Sequence, residues 1–115
     1  MLKRAAQISD DAIKSAALIE EAKNRFLEND QISEKHGNVT GLLLNPISIC
    51  ECFKMLKNFV EMLEMGKLLQ KRAKKFKDLE KQIRAVGFQI EASRELKLDV
   101  QTLEAELERL KQMQK

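Results

Sequence analysis

The fold turns on residues 66–96, GKLLQKRAKKFKDLEKQIRAVGFQIEASREL. Leu69, Ala73, Phe76, Leu79, Ile83, Val86 and Ile90 recur there at steps of three and four, which gathers them on one face of a helix. The row continues through Ser93, Leu96, Val100, Leu103, Leu107 and Leu110. Its mean step is about 3.4 residues, close to the 3.5 of a left-handed coiled coil. The frame skips twice, where paired three-residue steps occur at Ala73-Phe76-Leu79 and at Ile90-Ser93-Leu96. Gly66 and Gly87 each cost about 1 kcal/mol relative to Ala inside a helix, and both read as bends or close-approach points.

Upstream, Asn45-Pro46 reads as the N-cap and first residue of this helix, because proline there loses no needed N–H. Ser48-Ile49-Cys50-Glu51 offers a competing capping box. No later proline interrupts residues 46–115, which would span about 105 Å as one helix. Residues 46–66 are broadly apolar, with Ile49, Cys52, Phe53, Leu56, Phe59, Val60, Met62, Leu63 and Met65. A helix this apolar belongs in a bundle of three or more helices, with at least one neighbour expected from another chain.

Residues 1–36 read as an Ala-rich amphipathic helix, with Leu2, Ala5, Ile8, Ala12, Ala16, Ile19, Ala22 and Phe26 on one face. Ser9-Asp10-Asp11 marks an internal start to it. Residues 37–45 read as a loop whose Gly37 ends the first helix and whose Leu42-Leu43-Leu44 packs over a helix pair. The expected fold is therefore all-α: a helical hairpin whose very long second helix extends as a coiled coil from residue 67 to 115. It is expected to sit in a multi-helix, hetero-oligomeric bundle.

Composition supports helices over other classes. The 115 residues hold four Gly, one Pro, two Cys and neither Trp nor Tyr. So few breakers cannot punctuate a β-sandwich, and two cysteines make no disulfide scaffold. The net charge of +3 is unevenly placed. Residues 67–84 hold eight basic and two acidic side chains, net +6, while 1–36, 37–66 and 91–115 are each net −1. The patch comprises Lys67, Lys71, Arg72, Lys74, Lys75, Lys77 and Lys81 together with Arg84, and is expected to lie opposite the apolar seam. The N-terminus lacks a signal-peptide core and no apolar run approaches a membrane span. An intracellular protein, cytoplasmic or nuclear, with reduced cysteines is expected.

Chemical motifs are few. Cys50 and Cys52 lie about 200° apart on a helix and cannot grip one metal ion, and His36 is the single histidine. No phosphate loop, HExxH or GxSxG occurs, so neither an enzyme nor a cofactor is expected. In style the chain resembles small subunits of elongated helical complexes of the kinetochore, spindle, tethering and chromatin-associated kinds. The leading expectation is a structural or adaptor subunit that joins other helical chains in a cytoskeletal, kinetochore, spindle or chromatin-associated assembly. Its contacts are expected at Ile49, Phe53, Leu56, Phe59, Leu63, Leu69, Phe76, Ile83, Ile90, Val100, Leu103, Leu107 and Leu110. The alternative is an anion-binding module that meets nucleic acid, microtubules or an acidic protein through residues 67–84. A third is a vesicle-tethering coiled-coil subunit.

Overall fold

The computed structural model describes the backbone of residues 2–114 and the side chains of residues 14–114. Five helices follow one another: α1 (Leu2–His36), α2 (Val39–Met55), α3 (Phe59–Lys75), α4 (Leu79–Glu95) and α5 (Gln101–Met113). The all-α class stands, and no strand occurs among the described residues. The single long second helix does not. Residues 46–115 run through four helices and reverse three times.

Each reversal has the same chemistry. Lys57, Lys77 and Lys97 take left-handed backbone conformations, with φ of 59°, 55° and 60°, and Gly37 does so at 65°. The amide after each one donates to the carbonyl five residues back: Asn38 to Ser33 at 2.9 Å, Asn58 to Phe53 at 2.8 Å, Asp78 to Ala73 at 2.9 Å and Leu98 to Ser93 at 2.8 Å. The left-handed residue itself donates three residues back, as from Lys57 to Lys54 at 3.1 Å. Together these bonds are a Schellman stop, which satisfies the free carbonyls of a helix end. At the first and third stops the side chain of the following residue caps the next helix, whereas Asn58 holds the N-cap position of α3 without a side-chain bond. Asn38 Oδ1 accepts from the Gly41 amide at 3.2 Å, and Asp78 Oδ1 from the Lys81 amide at 3.0 Å.

The four stops are spaced twenty residues apart, at 37, 57, 77 and 97. Burial follows the same period. Pro46, Gly66 and Val86 are buried, as are Ile49, Leu69 and Gln89, then Cys52, Arg72 and Ala92. Glu51, Lys71 and Glu91 are exposed at their shared position. The chain is thus a short array of single-helix repeats, each too small to bury its own face and completed by its neighbours.

Two further expectations are revised. The loop is only Gly37-Asn38, and α2 starts at Val39 because Asn38, not Asn45, supplies the cap. Pro46 lies inside α2 and is fully buried there. The leucine triplet is helical, with Leu43 buried and Leu44 half exposed. α1 is one element from Leu2, without a new start at Ser9-Asp10-Asp11. The stripe positions Leu2, Ala5, Ile8 and Ala12 lie outside the residues whose side chains are described.

Successive helices pack against each other, and α2 touches α4 lightly behind α3. The main core joins Leu43, Ile47, Ile49, Cys50, Phe53, Met62, Leu69, Ala73, Ala85, Phe88 and Ala92. A second cluster of Val86, Ile90 and Leu110 holds α5 on α4. The molecule measures 54 × 37 × 23 Å. Its long axis matches the 35 residues of α1, about 52 Å at 1.5 Å per residue.

Candidate interaction surfaces

The residues expected to meet other chains lie mostly inside this one. Ile49, Leu69 and Leu110 are fully buried, and Phe53 and Ile90 nearly so. Phe59, Leu63 and Phe76 pack against the main core, while Ile83, Val100, Leu103 and Leu107 pack against the second cluster. Leu56 is half-buried at the C-cap of α2. The seam of residues 69–110 is therefore intramolecular, because the chain doubles back at Lys77 and Lys97 and closes the seam on itself. Most of the apolar excess of residues 46–66 is likewise covered by this chain's own helices, with Met55 and Val60 left exposed.

The basic patch divides. Arg72 leaves it altogether and points inward, 9% exposed. Its guanidinium donates to Asp30 Oδ1 at 2.7 Å and Oδ2 at 3.0 Å, and to Glu34 Oε1 at 2.5 Å. A fourth bond, at 3.1 Å, goes to the Leu42 carbonyl. That carbonyl would ordinarily accept from the amide four residues on, but residue 46 is proline and has none. Pro46 frees the acceptor and Arg72 fills it. One side chain of α3 thereby fastens α1 and α2.

Lys67, Lys71, Lys74 and Lys75 remain exposed on α3, the first three on one stripe at i, i+4 and i+7. Lys67 pairs with Glu64 at 3.4 Å. Lys77 is exposed at the turn, and Lys81 is half-buried with Glu80 at 3.9 Å. Lys74 reaches electrostatically to α5: the Glu106 carboxyl is held below its usual range by a hydrogen bond from Arg109, with Lys74 adding to the effect.

Two grooves open beside α2. One lies between α2 and α4, lined by Met55, Gly87 and Phe88. Its rims are crossed by two ion pairs of opposite polarity, Arg84 to Glu51 at 2.8 Å and Lys54 to Glu91 at 2.9 Å. Met55 is 63% exposed, and a side chain at Gly87 would meet nothing within 4 Å. The other groove lies between α1 and α2, lined by Leu18, Ile19, Ala22, Phe26, Ser48, Cys52 and Met55.

The two glycines of residues 66–96 differ. Gly66 is a close-approach point, where an added Cβ would stand 2.9 Å from Gln89 Cγ and 3.3 Å from the Ala85 carbonyl oxygen. Gln89 is held there by donating to Gln70 Oε1 at 2.7 Å and to the Gly66 carbonyl at 3.3 Å. Gly87 faces open groove, and each glycine lies inside a continuous helix.

Cys50 and Cys52 face different neighbours. The Cys50 sulfur is 3.8 Å from the Met62 carbonyl, and burial pushes its thiol up to about 12. Cys52 lies in the α1/α2 groove, its thiol also raised by burial and then by Glu51. Among the described residues no three His, Cys, Asp or Glu side chains gather as a metal would require, and no helix is long and apolar enough to cross a membrane.

Comparison with protein-family models, curated proteins and solved structures finds no match. The surfaces must speak through their own chemistry. The twenty-residue repeat was the overlooked signal: Gly37-Asn38, Lys57-Asn58 and Lys77-Asp78 recur in step, with Lys97-Leu98-Asp99 a looser fourth.

Proposed function

We propose that this chain is a non-enzymatic structural subunit: a short helical-repeat array that docks a helix of another protein within a larger assembly. The observation that carries this reading is the α2/α4 groove. Its floor is apolar at Phe88, Met55 stands exposed on its wall, and Gly87 leaves room for close approach of another backbone. Repeat arrays bind partners along such extended faces, and an apolar groove with charged rims suits an amphipathic helix. The paired rim charges set register and orientation, while the floor supplies the burial.

The test is recovery of the tagged full chain from its native cells, with crosslinks mapped at the groove. A stoichiometric helical partner is expected at Met55 and Gly87, lost with Gly87→Gln or Met55→Glu while the helical circular dichroism is unchanged. Partner retention by both variants would overturn the reading.

The exposed lysine stripe of α3 favours a second reading, electrostatic binding to a polyanion such as nucleic acid or a microtubule. It predicts steeply salt-dependent binding that disappears when Lys67, Lys71, Lys74 and Lys75 are changed to Glu. Arg72 is to be left intact, since it belongs to the core.

A further inference from the structure

The exposed side of α3 carries a depression of about 250 Å³ lined by Lys67, Gln70, Lys71 and Lys74. These positions stand at i, i+3, i+4 and i+7, the spacing that brings side chains together on one stripe of a helix. Lys67 pairs with Glu64 at 3.4 Å, while Lys71 and Lys74 pair with no carboxylate among the described residues. Glu106, the α5 carboxylate that senses Lys74, is already engaged by Arg109 at 2.6 Å.

The orientation of Gln70 is set from the interior. Gln89 is buried, and its amide nitrogen donates to the backbone carbonyls of Gly66 and Ala85, each at 3.3 Å. An amide oxygen cannot take that place between two acceptors, so nitrogen is the Gln89 atom that faces α3. It also donates to Gln70 Oε1 at 2.7 Å. With its oxygen so engaged, Gln70 keeps two N–H donors that have no partner among the described residues. Three ammonium groups and one amide therefore gather at a concave spot whose one acceptor side chain is already taken.

We propose that this depression is a binding site for a small anion bearing two or more phosphoryl groups. The inference rests on the second reading above, that the α3 stripe binds anions, and narrows it from a charged surface to a defined subsite. Lysine meets phosphate as a point charge, whereas planar carboxylates are matched by the two-pronged guanidinium. The chain keeps that division. Arg72 serves the carboxylates of Asp30 and Glu34 in the interior, and lysines supply all the charge of the depression. Lys67 and Lys74 are seven residues apart, about 10 Å along the axis, which is why the row suits linked phosphoryl groups over a single one. A nucleic-acid strand would also bring phosphates, but its bases would find no platform. The chain has neither Trp nor Tyr, and Phe76 packs against the core with Lys75 over its ring.

The experiment is isothermal titration of the full chain with inorganic triphosphate at constant ionic strength. Citrate serves as the polycarboxylate control and a single-stranded oligothymidylate as the strand. Triphosphate is expected to bind one site per chain, at least tenfold more tightly than citrate. Lys71→Met and Gln70→Leu should each weaken it by about tenfold, the loss of one hydrogen bond to a charged group. Lys75→Met removes the same charge outside the depression and should cost less than twofold. Gln70→Glu still accepts from Gln89 and should abolish binding, so the test holds even if Gln70→Leu fails to fold; circular dichroism checks each variant. No triphosphate binding, equal affinity for citrate, equal losses at Lys71 and Lys75, or indifference to both Gln70 changes would each overturn the proposal. Salt-sensitive binding of the strand that triphosphate does not displace would also overturn it while leaving the second reading in place. Triphosphate binding without strand binding would uphold the site and remove nucleic acid from that reading.

Discussion

Arg72 on α3 and Asp30 on α1, 42 residues apart, form a two-pronged ion pair of 2.7 and 3.0 Å that is almost wholly withdrawn from water. Removing Arg72 would strand the Asp30 carboxylate in the interior, whereas removing Asp30 leaves the guanidinium its bonds to Glu34 and the Leu42 carbonyl. Arg72→Leu should lower unfolding free energy by about 3–5 kcal/mol and Asp30→Leu by less, measured by urea denaturation. The double substitution should lose less than the two single losses together, since neither charge is then stranded. Full additivity would show that the pair is not coupled.

The four left-handed positions should respond according to side chain. A Cβ in this conformation costs about 1–2 kcal/mol, and glycine avoids that cost. Lys57→Gly, Lys77→Gly and Lys97→Gly should each raise the unfolding free energy by up to about 1 kcal/mol, while Gly37→Ala lowers it by a similar amount. Were residues 46–115 one continuous helix, the same lysine-to-glycine changes would destabilise by about 1 kcal/mol. The sign decides.

Gly66 and Gly87 should separate in the opposite way. Both lie in helix interiors, so propensity alone favours alanine by about 1 kcal/mol at each. Gly87→Ala should show that gain, because its Cβ enters open space. Gly66→Ala should instead lose about 1–3 kcal/mol as the methyl group presses on Gln89 and the Ala85 carbonyl. Thermal denaturation of the two variants side by side checks both signs.

The cysteines give a prediction in alkali. The Cys50 thiol, raised to about 12 against an ordinary 9, favours the folded state through its protonated form. Its contribution is complete below pH 9 and is lost as pH rises from 9 towards 12. Native Cys50 should therefore resist iodoacetamide at pH 8, and Cys52 in its groove should react first. In denaturant both should react alike. Mass mapping of the alkylated peptides measures the order, and faster native labelling of Cys50 would contradict its placement against Met62.

Helical class, the Gly37 stop and the apolar faces were legible from residue types and spacing. The reversals were not, because Lys57, Lys77 and Lys97 are good helix formers occupying positions where glycine is the usual sign of a stop. Their trace was present as the two heptad skips, at Ala73-Phe76-Leu79 and Ile90-Ser93-Leu96, which flank the turns at Lys77 and Lys97. A seam that skips by one step at each helix end is how a folded-back array resembles a continuous coil. Pro46 misled for a related reason. Proline usually marks a first turn, and its place inside α2 depends on a distant arginine that takes the carbonyl it leaves free. The candidate grooves were invisible in sequence, since Gly87 and Met55 acquire meaning only when α2 and α4 lie side by side.

The reversal of the chain is tested most directly by zero-length carbodiimide coupling of Lys54 to Glu91, whose charged atoms lie 2.9 Å apart. On one straight helix the same residues would be about 55 Å apart. Coupling in an equal mixture of nitrogen-14 and nitrogen-15 protein should give Lys54–Glu91 peptides of uniform label, the signature of a bond within one chain. Mixed-label peptides alone, or no such peptide, would contradict the folded-back array.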